Sequence, residues 1–268
     1  MKVFPRVLFV AVLFSTFDYG YTVGFGFAAK RKKPDPCTRL RNAAEDWKAW
    51  GKQWADILKA RRQDEKQTGA VSPSSPPLVN EILRYLSSTK PLNILELGAG
   101  SGVVTRKVIQ KKKPKDRFDA IEIDEGLFET LQKSVLELED RGCRMDNVHL
   151  HHFDFTKWNC PKGITYDLIV CTFPFTTLPP DIVQAILDKI SQLLKPGGIF
   201  TYISYVGARE AVKLKAFFKD DEEELDAFKI IMQIFDAWKD EHFTRLKRSI
   251  VPINAPPSFV FHLQRNEE

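Results

Sequence analysis

The stretch that decides the fold is Ile-Leu-Glu-Leu-Gly-Ala-Gly-Ser-Gly-Val-Val-Thr, residues 94–105. Its apolar first part predicts a buried parallel strand, and its last part predicts the start of a helix. The glycines between them permit a tight turn and leave bare backbone against which a ligand can lie. A strand, a glycine-rich turn and a helix in this order are typical of the entrance to a nucleoside-binding α/β domain.

An acid, Glu96, precedes the three glycines Gly98, Gly100 and Gly102. In dinucleotide-binding domains the helix that follows such a turn holds a pyrophosphate at its N-terminus. A carboxylate at this place favours instead the cationic end of an amino-acid-like ligand. Glycine turns also occur without any ligand, so the neighbouring segments decide what this turn does.

Two further strands are predicted to end in acids at the same edge of the sheet. Residues 118–124 carry Glu122, whose carboxylate can accept hydrogen bonds from both hydroxyls of a ribose. Residues 148–153 lead into Asp154 and Phe155, which offer an acceptor and a ring to a base. With the glycine turn, this makes three strand ends of the expected kind in the expected order. That argues against the alternative that Glu122 and Asp154 are only polar residues at the ends of strands.

Together these segments resemble the first three cofactor motifs of class I S-adenosylmethionine-dependent methyltransferases. The resemblance implies a doubly wound, Rossmann-like α/β fold with a seven-stranded sheet. It also implies S-adenosyl-L-methionine as the cofactor. Residues 243–250 and 258–264 alternate as two strands and predict the antiparallel terminal hairpin of that fold. The residues assigned to the cofactor are Glu96, Gly98, Ala99, Gly100, Ser101, Gly102, Glu122, Ile123, Asp154 and Phe155.

The predicted fourth strand leads into Thr172-Phe173-Pro174-Phe175, where the reactive group of the cofactor is expected. Methyltransferases that act on adenine amino groups place Asn/Asp-x-Pro-aromatic here, and this segment resembles that pattern only in part. A rigid apolar turn is the alternative. Strand five, residues 199–205, follows a Pro-Gly-Gly turn. We assign catalysis to Tyr205 and Thr172, and substrate contact to Phe173, Pro174, Phe175 and Tyr205.

Two other segments carry a closer resemblance. Thr-Gly-Ala-Val-Ser-Pro-Ser-Ser at 68–75 and Asn-Ala-Pro-Pro at 254–257 are similar to segments of bacterial phospholipid N-methyltransferases, which methylate phosphatidylethanolamine. The match spans residues 38–265. It implies that the acceptor is a small-molecule or lipid amine and that the partner is a phospholipid membrane surface, which is anionic. It also implies an N-terminal amphipathic helix directly upstream of the cofactor fold.

Residues 1–29 contain an apolar run at 7–17 and are followed by Lys30-Arg31-Lys32-Lys33. An uncleaved membrane anchor is favoured over a cleaved signal peptide, because the positive flank keeps the following domain on the cytoplasmic side. Residues 26–28 form a passable cleavage site and favour the other interpretation. We therefore expect a membrane-associated protein whose catalytic domain faces the cytoplasm.

Residues 30–66 predict a basic amphipathic helix that joins the hydrophobic segment to the methyltransferase domain, residues 67–268. Tryptophans lie on one side and basic residues on the other, which is typical of a helix in a membrane interface. Packing of the tryptophans on the domain core is the alternative. The membrane contacts are assigned to Trp47, Trp50, Trp54, Lys48 and Lys52.

Composition excludes little but constrains the chemistry. A net charge of +5 is compatible with anionic membranes or nucleic acid and requires neither. The four cysteines have no metal-binding spacing and are expected to be reduced thiols. No metal site is predicted, because His149 and His151 share one strand face whereas His152 points away.

Three alternative functions stay open. An rRNA adenine N6-dimethyltransferase would be expected to carry asparagine at position 172 and a basic helical tail, so nucleic acid is the less favoured partner. Another small-molecule or protein methyltransferase is compatible with the same cofactor motifs. A non-catalytic membrane module with a cofactor fold would be expected to have lost the glycine turn, which is intact. The oligomeric state is left open.

Overall fold

Seven strands form one sheet in the order β3-β2-β1-β4-β5-β7-β6. The computed structural model describes residues 46–48, 50–51, 74–173, 175–207 and 222–267. Strands β1 to β5 are parallel to one another. At the end of the sheet, β7 runs antiparallel both to β5 and to the edge strand β6. The strands are β1 (Asn93–Leu97), β2 (Arg117–Glu122), β3 (Val148–His152), β4 (Tyr166–Cys171), β5 (Leu194–Tyr205), β6 (Phe243–Val251) and β7 (Ser258–Arg265).

Helices pack on both faces of this sheet. Asp124 caps the helix after β2 by accepting a hydrogen bond from the N–H of Leu127, and prolines occupy the first turn of the helices that follow Ser75 and Pro179. The labelled helices are α1 (Pro76–Ile82), α2 (Val103–Lys111), α3 (Glu125–Asp140), α4 (Pro180–Leu193) and α5 (Glu222–His242), with a 3₁₀ turn at Phe175–Thr177. The doubly wound fold with its antiparallel terminal hairpin is therefore confirmed.

Successive strand residues point to opposite faces, so the apolar strands supply two cores. Ile94 and Val170 pack with α1, α2 and α3, and this side is called the α1 face. Leu97 and Cys171 pack with α4 and α5, and this side is called the α4 face. The chain winds outward from β1 to β3 and returns to β4 on the other side of β1. The carboxyl ends of β1 and β4 thus flank the crevice where this fold binds ligands.

The Pro-Gly-Gly segment differs from its predicted form. Helix α4 ends at Leu193 and β5 begins at Leu194, so the glycines lie inside the strand instead of before it. The pairing with β4 moves from Leu194 opposite Tyr166 to Ile199 opposite Leu168, which places a bulge at this point.

The cysteines differ from their predicted state at one position. Cys160 and Cys171 are free thiols, whereas Cys143 is disulfide-bonded. The expectation of four reduced thiols is therefore wrong.

The predicted hydrophobic segment at 1–29 and most of the predicted basic helix at 30–66 lie outside the described residues. Within the described ranges, no helix has both the length and the apolar composition to cross a bilayer. The division into three segments stays a prediction.

The turn between β6 and β7 is joined to the start of α1, and we call this contact the clasp. The Ser75 N–H donates to Asn254 Oδ1 at 2.9 Å, and Ser75 Oγ donates to the Ile253 carbonyl at 2.5 Å. Asn254 Nδ2 donates to the Pro256 carbonyl at 2.9 Å and to Ser258 Oγ at 3.1 Å. Ser75 is fully buried and Asn254 nearly so. The clasp thus joins Ser75 to Asn254, two residues that belong to the segments resembling the phospholipid enzymes.

The clasp predicts a stability effect at Asn254. The Asn254→Ala variant leaves the buried Ser75 N–H without an acceptor, so we expect unfolding to become easier by about 2–3 kcal/mol. Chemical denaturation measures this loss. The control is Asn266→Ala at an exposed position, where a change within about 0.5 kcal/mol is expected. Equal effects of the two substitutions would contradict a structural role for the clasp.

Candidate cofactor site and active site

The loop between β1 and α2 leaves open space beside one of its glycines. A Cβ added at Gly100 meets no atom within 4 Å, whereas one at Gly102 comes within 2.8 Å of Leu131 Cδ1. Both residues have positive φ angles, +57° and +89°. Gly102 therefore serves the packing of α3 on the loop. The missing side chain of Gly100 instead keeps bare backbone facing a space that a ligand can occupy.

Neighbouring strands hold this loop in place. The N–H groups of Gly98 and Ala99 both donate to the Ile121 carbonyl of β2 at 3.0 Å. On the other side Thr172 Oγ1 donates to the Gly98 carbonyl at 2.7 Å. Ala99 is buried in the α1-face core and Ser101 is half-buried. The loop is thus fixed before any ligand arrives, which reduces the entropy lost on binding.

The Glu122 carboxylate lies at the carboxyl end of β2, where the sequence places it. Its Oε2 accepts from the Gly100 N–H at 2.7 Å, and its Oε1 accepts from the N–H groups of Ile123 and Asp124, both at 2.9 Å. The side chain is nearly buried. The two carboxylate oxygens offer about four acceptor sites, and the three N–H groups use three of them. One site remains for a ribose hydroxyl, and a second hydroxyl can replace the Gly100 N–H.

Glu96 carries a buried acceptor without a partner. Its Oε2 accepts from Thr105 Oγ1 at 2.6 Å, but Oε1 has no hydrogen-bond partner among the described residues. Burial raises the pKa of this carboxyl to about 8, with a further increase from the negative charge of Glu122 and an opposing effect of Thr105. An ammonium group on a ligand would supply the missing donor and favour the charged carboxylate. The loop and its two acids therefore fit the amino-acid end and the ribose of S-adenosylmethionine.

Two apolar side chains form an exposed rim beside Glu122. Ile123 is 64% exposed and Phe153 is 49% exposed. The strand ends that carry them are joined by a hydrogen bond from the Phe153 N–H to the Glu122 carbonyl at 3.0 Å. Sequence reasoning assigned Ile123 but missed Phe153, although an aromatic residue directly before Asp154 was visible. The rim offers a flat apolar surface to a base.

Asp154 and Phe155 occupy different surroundings. Asp154 Oδ1 accepts from the Thr156 N–H at 2.9 Å and from Thr156 Oγ1 at 2.7 Å, and these bonds lower the pKa of Asp154. Its carboxylate therefore stays charged and partly exposed at the strand end. The Phe155 ring is buried against Trp158, with Lys189 Nζ 5.2 Å from the ring centroid. The structure thus places the predicted base-stacking ring in the core, and Phe153 has the exposed position.

At the end of β4 one aromatic ring faces the loop. A Cβ added at Gly98 would lie 2.5 Å from Phe173 Cδ1, so this ring rests against the glycine backbone. The Phe173 and Phe175 rings lie 5.3 Å apart, but Phe175 is buried and contacts Phe235. Thr172 uses its hydroxyl proton to hold Gly98. Pro174 lies outside the described residues.

Tyr205 is not brought together with these rings. Tyr205 packs on the α1 face, whereas Phe173 and Phe175 belong to the α4 face. Burial raises the pKa of the Tyr205 phenol. The Tyr205 backbone lies opposite Ser258, beside the clasp. Tyr205 and the two phenylalanines therefore pack against different faces of the sheet, and their joint contact with one substrate stays a prediction.

Asp119 is a buried acid in β2 that was not predicted from the sequence to have a role. Asp119 accepts two hydrogen bonds from Arg117 at 2.7 and 2.9 Å and one from the Tyr166 hydroxyl at 3.0 Å. His151 Nε2 lies 2.9 Å from Asp119 Oδ1. A charged residue inside an apolar strand was the available signal. Among the described residues no group of three or more histidine, cysteine or acidic side chains could hold a metal.

A short piece of the predicted basic helix is described. Residues 46–48 and 50–51 are helical, and Asp46 forms a salt bridge with Lys107 of α2 at 2.6 Å. Trp47 is 39% exposed, Lys48 is exposed, and the rings of Trp47 and Trp50 lie 5.4 Å apart. Lys52 and Trp54 lie outside the described residues. This piece is therefore attached to the domain while Trp47 keeps an exposed surface.

Comparison with known proteins gives the class. Residues 94–198 match the family described as the methyltransferase domain. An ornithine lipid N-methyltransferase from Singulisphaera acidiphila is 25% identical over 136 residues, which cover 50% of this chain and 69% of that protein. A tRNA1(Val) (adenine(37)-N6)-methyltransferase from Proteus mirabilis is 25% identical over 132 residues, 43% of this chain and 50% of that protein.

A solved structure extends the likeness to the fold. Magnesium protoporphyrin IX methyltransferase from Synechocystis, solved with bound S-adenosylhomocysteine, has a TM-score of 0.51 at 14% identity. The alignment covers 70% of this chain and 82% of that one. The fold, the glycine loop and the matched domain together define a class I S-adenosylmethionine-dependent methyltransferase. The enzyme class and the cofactor are thus established, and the relatives differ in what they methylate.

Proposed function

We propose that this enzyme transfers a methyl group from S-adenosylmethionine to the amine of a phospholipid headgroup, of the phosphatidylethanolamine type, at a membrane surface. The observation that carries the proposal is the end of β4. There the Phe173 ring rests against Gly98, and no amide or carboxylate stands at position 172. An aromatic face suits an amine that becomes a methylated cation, through a cation–π contact.

Two further features support a lipid acceptor. The segments at 68–75 and 254–257 resemble the phospholipid enzymes, and Ser75 and Asn254 of these segments meet in the clasp. The clasp lies at the carboxyl edge of the sheet, because Ser258 pairs with Tyr205 at the end of β5. One relative acts on an ornithine lipid, as its name states.

Bound S-adenosylmethionine supplies a methyl group on a positively charged sulfur, which an amine displaces in line. The chain must therefore orient the two reactants and exclude water. The acceptor amine must also lose its proton, and an apolar site lowers the pKa of an amine by disfavouring its charged form. Phe173 contributes an apolar wall, and the charged carboxylate of Asp154 is a candidate proton acceptor through water. Thr172 acts by positioning the loop.

We also propose that the enzyme works at the cytoplasmic side of the membrane. The proposal rests on the basic segment at 30–33 and on the pattern of tryptophans and lysines in residues 30–66. The exposed surface of Trp47 is compatible with contact to lipid headgroups.

The acceptor assay uses the full chain with isotopically labelled S-adenosylmethionine. We expect label in phosphatidylethanolamine when it is presented in vesicles with phosphatidylglycerol, and no label in vesicles of phosphatidylcholine and phosphatidylglycerol. The Glu122→Ala variant serves as the control for cofactor-dependent transfer. Label in ribosomal RNA but not in the lipid would reverse the proposal in favour of adenine N6 methylation.

Adenine N6 methylation is the second candidate, because a tRNA adenine methyltransferase is among the relatives. The end of β4 argues against it, since the Thr172 hydroxyl is already engaged with the Gly98 carbonyl. A non-catalytic membrane module is disfavoured by the open Gly100 and the positioned Glu122, which together retain a site for the cofactor.

A further inference from the structure

The edge strand β6 and the turn after it carry positive charge and no acid, although Asp240 and Glu241 lie just before the strand. Residues 243–258 include Arg245, Lys247 and Arg248 but no aspartate or glutamate. Strand β6 pairs with β7 on one side and is the last strand of the sheet. Exposed basic residues on an edge strand discourage pairing with other strands. They also create a positive surface that can attract an anionic partner.

A bulge turns two of these charges to the same side. Arg245 lies opposite Leu263 and Arg248 lies opposite Phe261, with the register shifting between Arg245 and Lys247. Residues three apart in a regular strand point to opposite faces, so the bulge is what aligns the two arginines. Ile250, two residues after Arg248, points to this face as well. The Arg248 guanidinium lies 5.2 Å from the centroid of the Phe259 ring.

These charges are available to a partner. Within the described part of the chain, neither arginine forms a salt bridge, and the same is true of Lys247. Arg245 and Arg248 are exposed. Arg245 and Arg248 can therefore bind an anion without first breaking a salt bridge within the described part of the chain.

The tip of the same hairpin is apolar and exposed. Ile250 is 57% exposed, Ile253 is 45% exposed, and the neighbouring Val206 is 38% exposed. Val206 joins the hairpin through a hydrogen bond from its N–H to the Pro257 carbonyl at 2.8 Å. The exposed apolar tip therefore lies at the carboxyl edge of the sheet, the edge that holds the glycine loop. Apolar side chains followed by arginines are the arrangement expected at the surface of a bilayer.

We propose that the β6–β7 hairpin docks on an anionic phospholipid bilayer, with Ile250, Ile253 and Val206 entering the headgroup layer and the arginines binding lipid phosphates. A strand advances about 3.4 Å per residue, so Arg248 lies roughly 7 Å behind Ile250. The headgroup region is about 5–8 Å thick on each side of a bilayer. Arg248 therefore reaches the phosphates when Ile250 is inserted, and Arg245 acts at longer range.

A bilayer explains the hairpin better than RNA does. Proteins that bind single-stranded RNA use exposed aromatic rings on which bases stack. The exposed apolar residues at this tip are two isoleucines and a valine, which provide no stacking surface. Docking in this orientation would turn the carboxyl edge of the sheet, and with it the active site, toward the membrane.

The test measures local insertion, because the predicted anchor at 1–29 would bring every variant of the full chain to a vesicle. An environment-sensitive fluorophore is attached to Ile253→Cys in the full chain. The matched control is Leu136→Cys on α3, which is 58% exposed. The wild-type protein, labelled in parallel, gives the background from native cysteines. The vesicles contain phosphatidylcholine with or without phosphatidylglycerol and no amine lipid, so the result does not depend on the proposed methyl acceptor.

We expect a blue shift of the label at position 253 with anionic vesicles, a smaller shift with neutral vesicles, and none at position 136. Adding Arg248→Glu should lower the ratio of inserted to non-inserted label at position 253 about tenfold or more on vesicle-bound protein. Three results would each overturn the proposal. They are equal shifts at positions 253 and 136, an unchanged shift when phosphatidylglycerol is omitted, and a larger shift at position 253 with ribosomal RNA than with vesicles.

Discussion

Replacing Gly100 with alanine is expected to weaken S-adenosylmethionine binding roughly 5- to 150-fold, since forcing an extra methyl group into a packed contact costs about 1–3 kcal/mol. The methyl group meets no protein atom within 4 Å, so its effect falls on the ligand. Folding should lose only about 1–2 kcal/mol, the cost of a left-handed backbone for a residue with a Cβ.

The Gly102→Ala variant is the matched control for this prediction. Its new methyl group would lie 2.8 Å from Leu131 Cδ1 in the core, at a residue with φ of +89°. We expect a loss of about 2–4 kcal/mol in stability, from backbone strain and overpacking together. Titration calorimetry and denaturant unfolding separate the two effects. Similar losses of affinity and of stability in both variants would show that Gly100 does not face the cofactor.

The second prediction concerns the buried carboxyl of Glu96. Its pKa is about 8 in the folded protein, above the ordinary value of 4.5, so the folded state binds the proton more tightly than the unfolded state. Stability is therefore fully present below about pH 4.5 and decreases as the pH rises through about 8. The full difference corresponds to about 4–5 kcal/mol. Glu96→Gln cannot ionise and should remove most of this pH dependence.

Cofactor binding should show the opposite trend. Below about pH 8 the Glu96 carboxyl is protonated and must lose its proton to pair with a cationic ligand, so affinity should rise up to tenfold per pH unit toward pH 8. The Glu96→Gln variant should bind S-adenosylmethionine more weakly and with a flat profile in this range. Urea unfolding at pH 6 and pH 9, with and without cofactor, checks both trends. Parallel profiles for the two proteins would contradict a role for the carboxylate.

Local chemistry explains which parts of the site could be predicted from the sequence. The glycine spacing and the acid at the end of β2 are constrained by residues near them in sequence. Gly100 and Glu122 indeed lie next to each other, joined by a hydrogen bond of 2.7 Å. The parallel strands were predictable for the same reason, because each is a short apolar run that ends in a turn.

Contacts between residues that are distant in sequence could not be predicted from the sequence. Alternation along β5 shows that Tyr205 shares a face with Ile203, but not which helices cover that face. Thr172 and Gly98 are 74 residues apart, and nothing in either neighbourhood indicates their hydrogen bond. Phe153 and Phe155 lie two residues apart in the segment that follows β3. Which of the two rings is exposed depends on the packing of Trp158 against Phe155. Burial and pairing across the sheet decide these positions.

The clasp has a consequence for how the chain is made. Ser75 and Asn254 are separated by 179 positions, and β7 inserts between β5 and the edge strand. A chain emerging from the ribosome cannot complete the buried cap of its first domain helix until the last hairpin has been synthesised. Folding of such long-range pairings is slow, and the exposed edge of β5 is open to other chains in the meantime. Translation must therefore pass the residues of β7 before this enzyme can close its sheet.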